Sequence, residues 1–154
     1  MAQRRPDRAL VTAGDRMFWE WCGKHELRLQ ACKNCGEILW PVVKACEHCG
    51  RDALEWRRMS GRGQVVSWCT FDHDYYRGLL PVPYDTIMVE LEEGPLFVSN
   101  PAGFTAEVIE FRKPVRLAFL TCEDAAGEFE LPVFEADSAP RKALADVVVQ
   151  SENQ

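Results

Sequence analysis

Two similar cysteine motifs fall within the stretch CKNCGEILWPVVKACEHCG, residues 32–50. Each motif has the form Cys-x-x-Cys-Gly, and glycine tolerates the positive φ that a chain needs where it doubles back around a metal. The two cysteine pairs are separated by ten residues, a spacing close to that of four-thiolate zinc sites. The stretch therefore predicts one structural Zn2+ ion per chain, with four ligands: Cys32, Cys35, Cys46 and Cys49.

A redox function is the competing interpretation of the same cysteines. Redox pairs of the thioredoxin type open a helix directly after a strand, and neither pair here has that sequence context. With four protein ligands, the zinc would have no open position for water or substrate. We therefore expect the ion to stabilise the fold without catalysing a reaction, and we expect His48, inside the second pair, to be an exposed loop residue.

The other reactive side chains do not form a catalytic pattern. Cys22, Cys69 and Cys122 lie in helix or strand patterns, where a free cysteine usually behaves as a small buried hydrophobe. His73 lies in a loop dense in polar and aromatic residues, where a neighbouring Asp could orient it as a base. No Ser nucleophile motif or glycine-rich phosphate loop accompanies it. We expect no catalytic residue in this chain.

The segments that precede the cysteines indicate an arm, a helix and a strand. Residues 1–12 are polar and lack periodicity, which indicates a mobile arm or a tail that docks on a partner. Residues 12–25 carry apolar side chains at helical spacing, with Asp15 placed as an N-cap, and predict an amphipathic helix. Residues 26–31 alternate between apolar and polar and predict a strand that leads into the first cysteine pair.

After Trp56 the pattern changes to short alternating segments between Gly and Pro turns. The predicted strands are 64–71, 86–91, 96–100, 115–120 and 129–134. Five short strands at this spacing favour a small closed or partly open barrel of the OB type. The expected protein is mainly β, with an arm and helix over residues 1–25, a zinc ribbon over 26–58, an OB-fold over 59–136 and a tail over 137–154.

Charge and composition exclude some classes of partner. The chain of 154 residues has a net charge of -6, which repels a phosphate backbone on average, so we expect no nucleic-acid partner. No apolar run approaches the roughly 18 residues of a membrane span, and no secretory signal is recognisable. Seven cysteines without an export signal indicate a reducing compartment, so we expect a cytoplasmic protein with no membrane contact.

The order of these motifs resembles the family catalogued as domain of unknown function 35, DUF35, whose members combine a rubredoxin-like zinc ribbon with a five-stranded OB-fold. The matching phrases accompany the two cysteine pairs and span residues 18 to 134: Phe18-Trp19-Glu20, Leu27-Arg28-Leu29-Gln30, Trp40-Pro41, Ser60-Gly61-Arg62-Gly63, Pro83-Tyr84, Glu93-Gly94-Pro95 and Leu131-Pro132-Val133-Phe134. Single phrases are weak evidence, but their joint order is specific.

The resemblance implies an accessory role. Members of the family are small partners of acyl-CoA enzymes, most often thiolase-fold proteins and sometimes hot-dog-fold hydratases or thiolase-like aldolases. It implies a non-catalytic subunit of an α2β2 thiolase complex that cleaves a 3-oxoacyl-CoA, of the benzoylsuccinyl-CoA type, in a degradation pathway. There the subunit would stabilise the complex and assist the binding of coenzyme A or acyl-CoA. A steroid side-chain aldolase or hydratase complex is one alternative, and a nucleic-acid-binding zinc-ribbon OB protein is another.

Seven residues are candidates for the face that meets acyl-CoA or the partner. Aromatic anchors are enriched at interface centres, which favours the tryptophans near the ribbon, whereas Trp56 is expected to pack in the core. The loop over residues 72–85 joins two predicted strands, where OB folds bind ligands or partners. Guanidinium groups match phosphate geometry, although solvated loop arginines are the alternative. The candidates are Trp19, Trp40, Arg62, His73, Tyr75, Tyr76 and Arg77.

Overall fold

The computed structural model describes residues 1–138 and confirms a mainly β protein with one α-helix in that range. The elements in chain order are β1 (Gln3–Arg4), α1 (Ala13–Gly23), β2 (Arg28–Cys32), β3 (Ile38–Leu39), β4 (Leu54–Arg58), β5 (Arg62–Phe71), β6 (Tyr84–Leu91), β7 (Leu96–Ser99), β8 (Pro101–Ala102), a 3-10 turn (Ala106–Val108), β9 (Lys113–Asp124) and β10 (Gly127–Ala136). The predicted tail lies outside the described residues from 139 onward.

The ribbon is a three-stranded antiparallel sheet with the order β3-β2-β4. Its central strand β2 leads into the first cysteine pair, as the alternation of residues 26–31 predicts. The buried side chain of Gln30 makes two hydrogen bonds to the backbone of Val43: it donates to the carbonyl at 3.1 Å and accepts from the N–H at 2.8 Å. These bonds hold the segment between the two cysteine pairs against β2.

The barrel contains all five predicted strands, as β5, β6, β7, β9 and β10, together with the short strands β1 and β8. The sheet order is β7-β6-β5-β9-β10-β8, so the ladder does not run continuously around the barrel. Its two ends meet because only Asn100 separates β7 from β8, and because the Ser99 hydroxyl donates to the Pro132 carbonyl at 2.8 Å. The result is the partly open form of an OB barrel.

The N-terminal residues are not a free arm, which corrects the expectation for residues 1–12. β1 pairs with β9 in parallel, with Gln3 opposite Cys122. Arg8 contacts the Asp124 carboxylate at 2.7 Å, and these side chains are 11% and 1% exposed. This ion pair and the strand pairing attach the segment to the chain's own barrel. Both contacts join residues more than 100 positions apart, which local periodicity does not reveal.

The helix begins one residue away from the predicted boundary and uses a different cap. Thr12 is the N-cap, and its hydroxyl accepts the backbone N–H of Asp15 at 3.1 Å. The Asp15 carboxylate accepts the backbone N–H of Thr12 at 2.7 Å, so the two residues form a capping box. Asp15 therefore supports the cap from the third helical position and is not itself the N-cap.

One hydrophobic core joins the helix, the start of the ribbon and the barrel. Phe18 and Cys22 of α1 are buried beside Leu27 and Leu29, which flank the beginning of β2. The barrel contributes the other buried members of this cluster: Met59, Val65, Ile87, Val89, Leu91, Phe97, Ile109, Val115 and Phe134. A second and smaller cluster surrounds the cysteine pairs. The helix and β2 thus position the ribbon directly on the barrel.

Candidate metal centre and surface sites

The four predicted ligands converge at the tip of the ribbon. Their sulfur atoms all lie within 4.8 Å of one another. Two contacts join the pairs: 3.5 Å from the Cys32 sulfur to the Cys49 sulfur and 3.7 Å from the Cys35 sulfur to the Cys46 sulfur. A tetrahedral zinc ion with Zn–S bonds of about 2.3 Å holds its sulfurs about 3.8 Å apart. The four cysteines are therefore positioned to bind one zinc ion, and they fill its coordination shell.

The two cysteine turns have the same backbone design. The N–H of Gly36 donates to the Cys32 carbonyl at 2.8 Å, and the N–H of Gly50 donates to the Cys46 carbonyl at 2.7 Å. Both glycines have a positive φ, 79° and 74°, as the motif predicts. Asn34 adds a side-chain hydrogen bond to the Cys49 sulfur at 3.6 Å. Neither pair opens a helix in the described chain, which argues against a thioredoxin-type redox site.

The clustered thiols differ in acidity. A backbone hydrogen bond from Arg51 is the main influence on Cys49 and lowers its pKa to about 7. A backbone hydrogen bond from Glu37 favours the Cys35 thiolate, but desolvation of this thiol and its three neighbouring sulfurs outweigh that bond and raise the pKa of Cys35 to about 12. Adjacent thiolates repel one another, and a divalent cation between them favours the ionisation of all four.

The remaining cysteines fall into two classes. Cys22 and Cys122 are fully buried, and burial raises the pKa of both thiols, that of Cys22 to about 12. They behave as small hydrophobes, as predicted. Cys69 lies in the second half of β5 and is exposed, so the prediction that it is a small buried hydrophobe is wrong. Beyond the β-bulge between Val65 and Ser67, the four consecutive residues 67–70 are all exposed, so neither face of this half of β5 is buried and alternation does not predict the burial of its residues.

The two candidate tryptophans line one groove of about 340 Å³, which we call the aromatic groove. Trp19 packs edge-on against Phe18 at 5.0 Å, and its Nε1–H donates to the Ala9 carbonyl at 3.2 Å. Trp40 lies 4.7 Å from Phe18 and 4.9 Å from Phe97 between ring centroids. Both tryptophans are partly buried against the shared core, as Trp56 is, so core packing is not confined to Trp56.

The loop that joins β5 to β6, residues 72–83, carries four further candidates and a group of exposed apolar side chains. His73 lies edge-on to Tyr75 at 4.7 Å, and Arg77 has a positive φ of 52°. Tyr75 is 64% exposed and Tyr76 is 40% exposed. Leu79 and Val82 of the same loop are also exposed. His48, by contrast, is an exposed residue of the second cysteine turn, as expected.

The structure separates the two candidate arginines. Arg62 begins β5, whereas Arg77 lies in the loop that follows the other end of this ten-residue strand, whose two ends are about 30 Å apart. Arg62 instead lines a cavity with Arg58 and Arg116, two residues that the sequence reasoning missed. Arg116 pairs with Arg62 across β5 and β9, a register that the sequence does not reveal without knowledge of strand order.

Comparisons with known proteins agree with this architecture. A family model described as "ChsH2, rubredoxin-like zinc ribbon domain" matches residues 19–55. A second model, "ChsH2, C-terminal OB-fold domain", matches residues 56–120. A solved chain described as "Ltp2-ChsH2(DUF35) aldolase" is 29% identical with a TM-score of 0.73, and the match covers 84% of this chain and 98% of that one.

Two curated relatives are larger proteins. A "Probable enoyl-CoA hydratase alpha subunit" from Thermomonospora curvata is 34% identical over 121 residues, which are 78% of this chain and 37% of the relative. A "3-oxo-4,17-pregnadiene-20-carboxyl-CoA hydratase alpha subunit" from Mycobacterium tuberculosis is 29% identical over 123 residues, which are 80% of this chain and 38% of the relative. The chain thus spans little more than a third of either relative. Among residues 1–138, no helix has the length and apolar character required to span a bilayer.

Proposed function

This chain belongs to the DUF35 family of zinc-ribbon and OB-fold proteins, and we propose that it is a non-catalytic subunit of a hetero-oligomeric enzyme that acts on acyl-CoA thioesters. The observation that best supports a non-catalytic role is the four-thiolate centre, because four protein ligands leave a bound zinc ion no open position for substrate. Its sulfurs hold the ribbon together, and the chemistry then belongs to a catalytic partner.

The similar proteins favour a particular kind of partner. Two relatives are named as hydratase alpha subunits and one structural relative as an aldolase. These names support a hydratase or an aldolase, including the steroid-type alternative, over the thiolase that the resemblance ranked first. The thiolase partner and the α2β2 stoichiometry that the family resemblance implies remain predictions for this chain. The net charge of -6 continues to oppose nucleic-acid binding.

We assign the docking role to the loop over residues 72–83. Large exposed side chains concentrate there, with Tyr75, Tyr76, Leu79 and Val82 all at least 38% exposed. Tyrosine supplies large contact area with few rotatable bonds and is enriched at binding hot spots. The loop is anchored at its base, where Phe71 and Tyr84 stack at 5.0 Å, so these side chains project from a fixed support.

A double tyrosine variant, compared with a control variant elsewhere on the surface, tests this docking surface. Tyr75→Ala combined with Tyr76→Ala should weaken binding to the catalytic subunit by about tenfold or more, because each ring would lose buried contact area. The control is Phe111→Ala, since Phe111 is 62% exposed but lies next to Arg112, whose N–H donates to the Val65 carbonyl in the first half of β5. Binding is measured by biolayer interferometry with an acyl-CoA aldolase or hydratase from the same cell.

Two different negative results would distinguish an error in the assigned docking surface from an error in the proposed function. Equal binding by the wild type and the double tyrosine variant would overturn the assigned surface. Failure of the wild-type chain to bind any acyl-CoA enzyme of its own cell would overturn the proposed function itself.

A further inference from the structure

A polar cavity of about 290 Å³ lies where the ribbon meets the barrel, and we call it the arginine cavity. Three arginines from three different strands contribute to its wall: Arg58 of β4, Arg62 of β5 and Arg116 of β9. The other lining residues include His25, Glu26, Ser60, Gly61 and Leu117. The cavity is distinct from both the zinc centre and the aromatic groove.

Two of the arginines face each other directly. Arg62 and Arg116 are partners in the antiparallel β5–β9 ladder, so their side chains leave the same face of the sheet. Like charges directly opposite in such a pair are destabilising. Arg58 adds a third positive charge to the same cavity.

Nearby carboxylates only partly offset these charges. Arg116 contacts Glu135 at 3.0 Å, whereas the Arg62–Asp137 and Arg58–Glu26 separations are 4.0 and 3.8 Å. Glu26 makes its short contact, 2.6 Å, with Arg28, and His25 lies 3.4 Å from Glu130. A guanidinium has five N–H donors, so these contacts leave donors for another acceptor. The arginine side chains are also 56% to 65% exposed.

The turn before β5 fixes one side of the cavity. Gly61 has a φ of 79°, and a side chain there would approach the Leu117 Cβ within 3.0 Å, so this position favours glycine. The Ser60 hydroxyl accepts the backbone N–H of Arg62 at 3.1 Å, and the N–H of Leu117 donates to the Gly61 carbonyl at 2.6 Å. The Ser60-Gly61-Arg62-Gly63 motif thus holds the start of β5 against β9.

We infer that the arginine cavity binds a phosphate group, with Arg58, Arg62 and Arg116 as its hydrogen-bond donors. A phosphate has several acceptor oxygens and matches the planar fork of a guanidinium, so one group can satisfy donors from more than one arginine. The bound anion also relieves the repulsion between Arg62 and Arg116. This inference deepens the proposed function, because every acyl-CoA thioester carries phosphate groups at its nucleotide end.

The test is calorimetric titration of the zinc-loaded full chain, without a catalytic partner, using coenzyme A, ADP and inorganic pyrophosphate as separate probes. Arg62→Gln should weaken binding about tenfold or more, and Arg116→Gln should do the same, because each removes a charge-assisted hydrogen bond. The control is Arg57→Gln, an equal loss of charge on β4 at a residue that contacts Glu55 at 2.9 Å outside the cavity. Zinc content and circular dichroism establish that each variant is folded.

Tighter binding of coenzyme A than of pyrophosphate supports a cofactor site, and equal binding supports a site for free phosphate. Affinity should also fall as salt rises, since the contacts are ionic. The inference is overturned if the wild type binds none of the probes at millimolar concentration, or if Arg62→Gln and Arg57→Gln bind alike. Docking to the partner is measured separately, so a failed phosphate site leaves the proposed function open to its own test.

Discussion

The ribbon tip and the barrel reach their folded states by different physical routes. The tip has a buried cluster of only three residues, Cys32, Leu39 and Cys46, and its outer strand β3 contains two residues. The barrel has strands of up to twelve residues around a larger buried cluster. A segment as small as the ribbon buries too little apolar surface to offset its conformational entropy, so metal must supply the difference. The barrel depends on apolar burial.

Removal of one zinc ligand should have the largest effect on the ribbon. In Cys46→Ser the site loses a thiolate, and structural zinc contributes roughly 10 to 16 kcal/mol of apparent binding free energy to small zinc modules. We expect amide NMR signals of residues 33–53 to lose their dispersion, while signals of the barrel strands β5 and β6 keep theirs. Cys69→Ser is the matched control, because Cys69 is exposed and outside the cluster.

Loss of one zinc ligand could instead unfold the barrel together with the ribbon, which would contradict the contrast between the two regions. Phe18, Leu27 and Leu29 join the helix and the start of the ribbon to the barrel core. If the amide signals of both the ribbon and the barrel lose their dispersion in Cys46→Ser, the two regions form one cooperative unit and the proposed division is wrong. Zinc binding by Cys46→Ser with the same affinity as the wild type would contradict the four-thiolate site.

The converse change is made in the barrel. Phe134 is fully buried and packs 6.3 Å from Phe97 between ring centroids. Phe134→Ala should lower the free energy of unfolding by about 3 to 5 kcal/mol, because it leaves a cavity in the core. Urea denaturation measures this change, and zinc content should stay at one ion per chain in the folded variant. Loss of zinc from the folded variant would show that the ribbon is not formed independently of barrel packing.

A smaller and pH-dependent effect is expected where the N-terminal segment meets the barrel. The hydrogen bond from Arg8 is the main cause that lowers the pKa of Asp124 to about 2, from an ordinary value of 3.8. This stabilisation, about 2 kcal/mol, is fully present above pH 4 and is lost as pH falls through about 2. Asp124→Asn should therefore be less stable than the wild type at pH 6, with a gap that narrows toward pH 2.

Urea denaturation of both proteins across this range measures the gap. The comparison between them removes the loss of zinc in acid, which affects both equally. A gap that is constant with pH would contradict the assigned ion pair.

Local pattern was sufficient where the determining interactions are local. The Cys-x-x-Cys-Gly motifs contain the ligands and the positive-φ turn residues, so they predict the metal centre directly. The five barrel strands follow from alternation of apolar and polar residues. Their boundaries were less accurate: β9 was expected over residues 115–120 but runs Lys113–Asp124. It extends because β1, β5 and β10 all pair with it, which keeps polar residues in the ladder.

Contacts between distant segments could not be predicted in this way. Nothing near Arg8 in the sequence identifies Asp124 as its partner, so the N-terminal segment was interpreted as an arm. The arginine cavity depends on the β5–β9 register, which places Arg116 opposite Arg62. The separation of Arg62 from Arg77 likewise follows from the length of β5. Sequence alone therefore predicts the metal site better than the surfaces that surround it.

Reconstitution of activity tests the central claim most directly. Turnover of an acyl-CoA substrate is measured for the zinc-loaded chain alone, for the aldolase or hydratase partner alone, and for the two mixed at equal concentration. The account predicts no turnover by this chain alone and a rate for the mixture well above that of the partner alone. Turnover by the chain alone, or no change when the two are mixed, would contradict it.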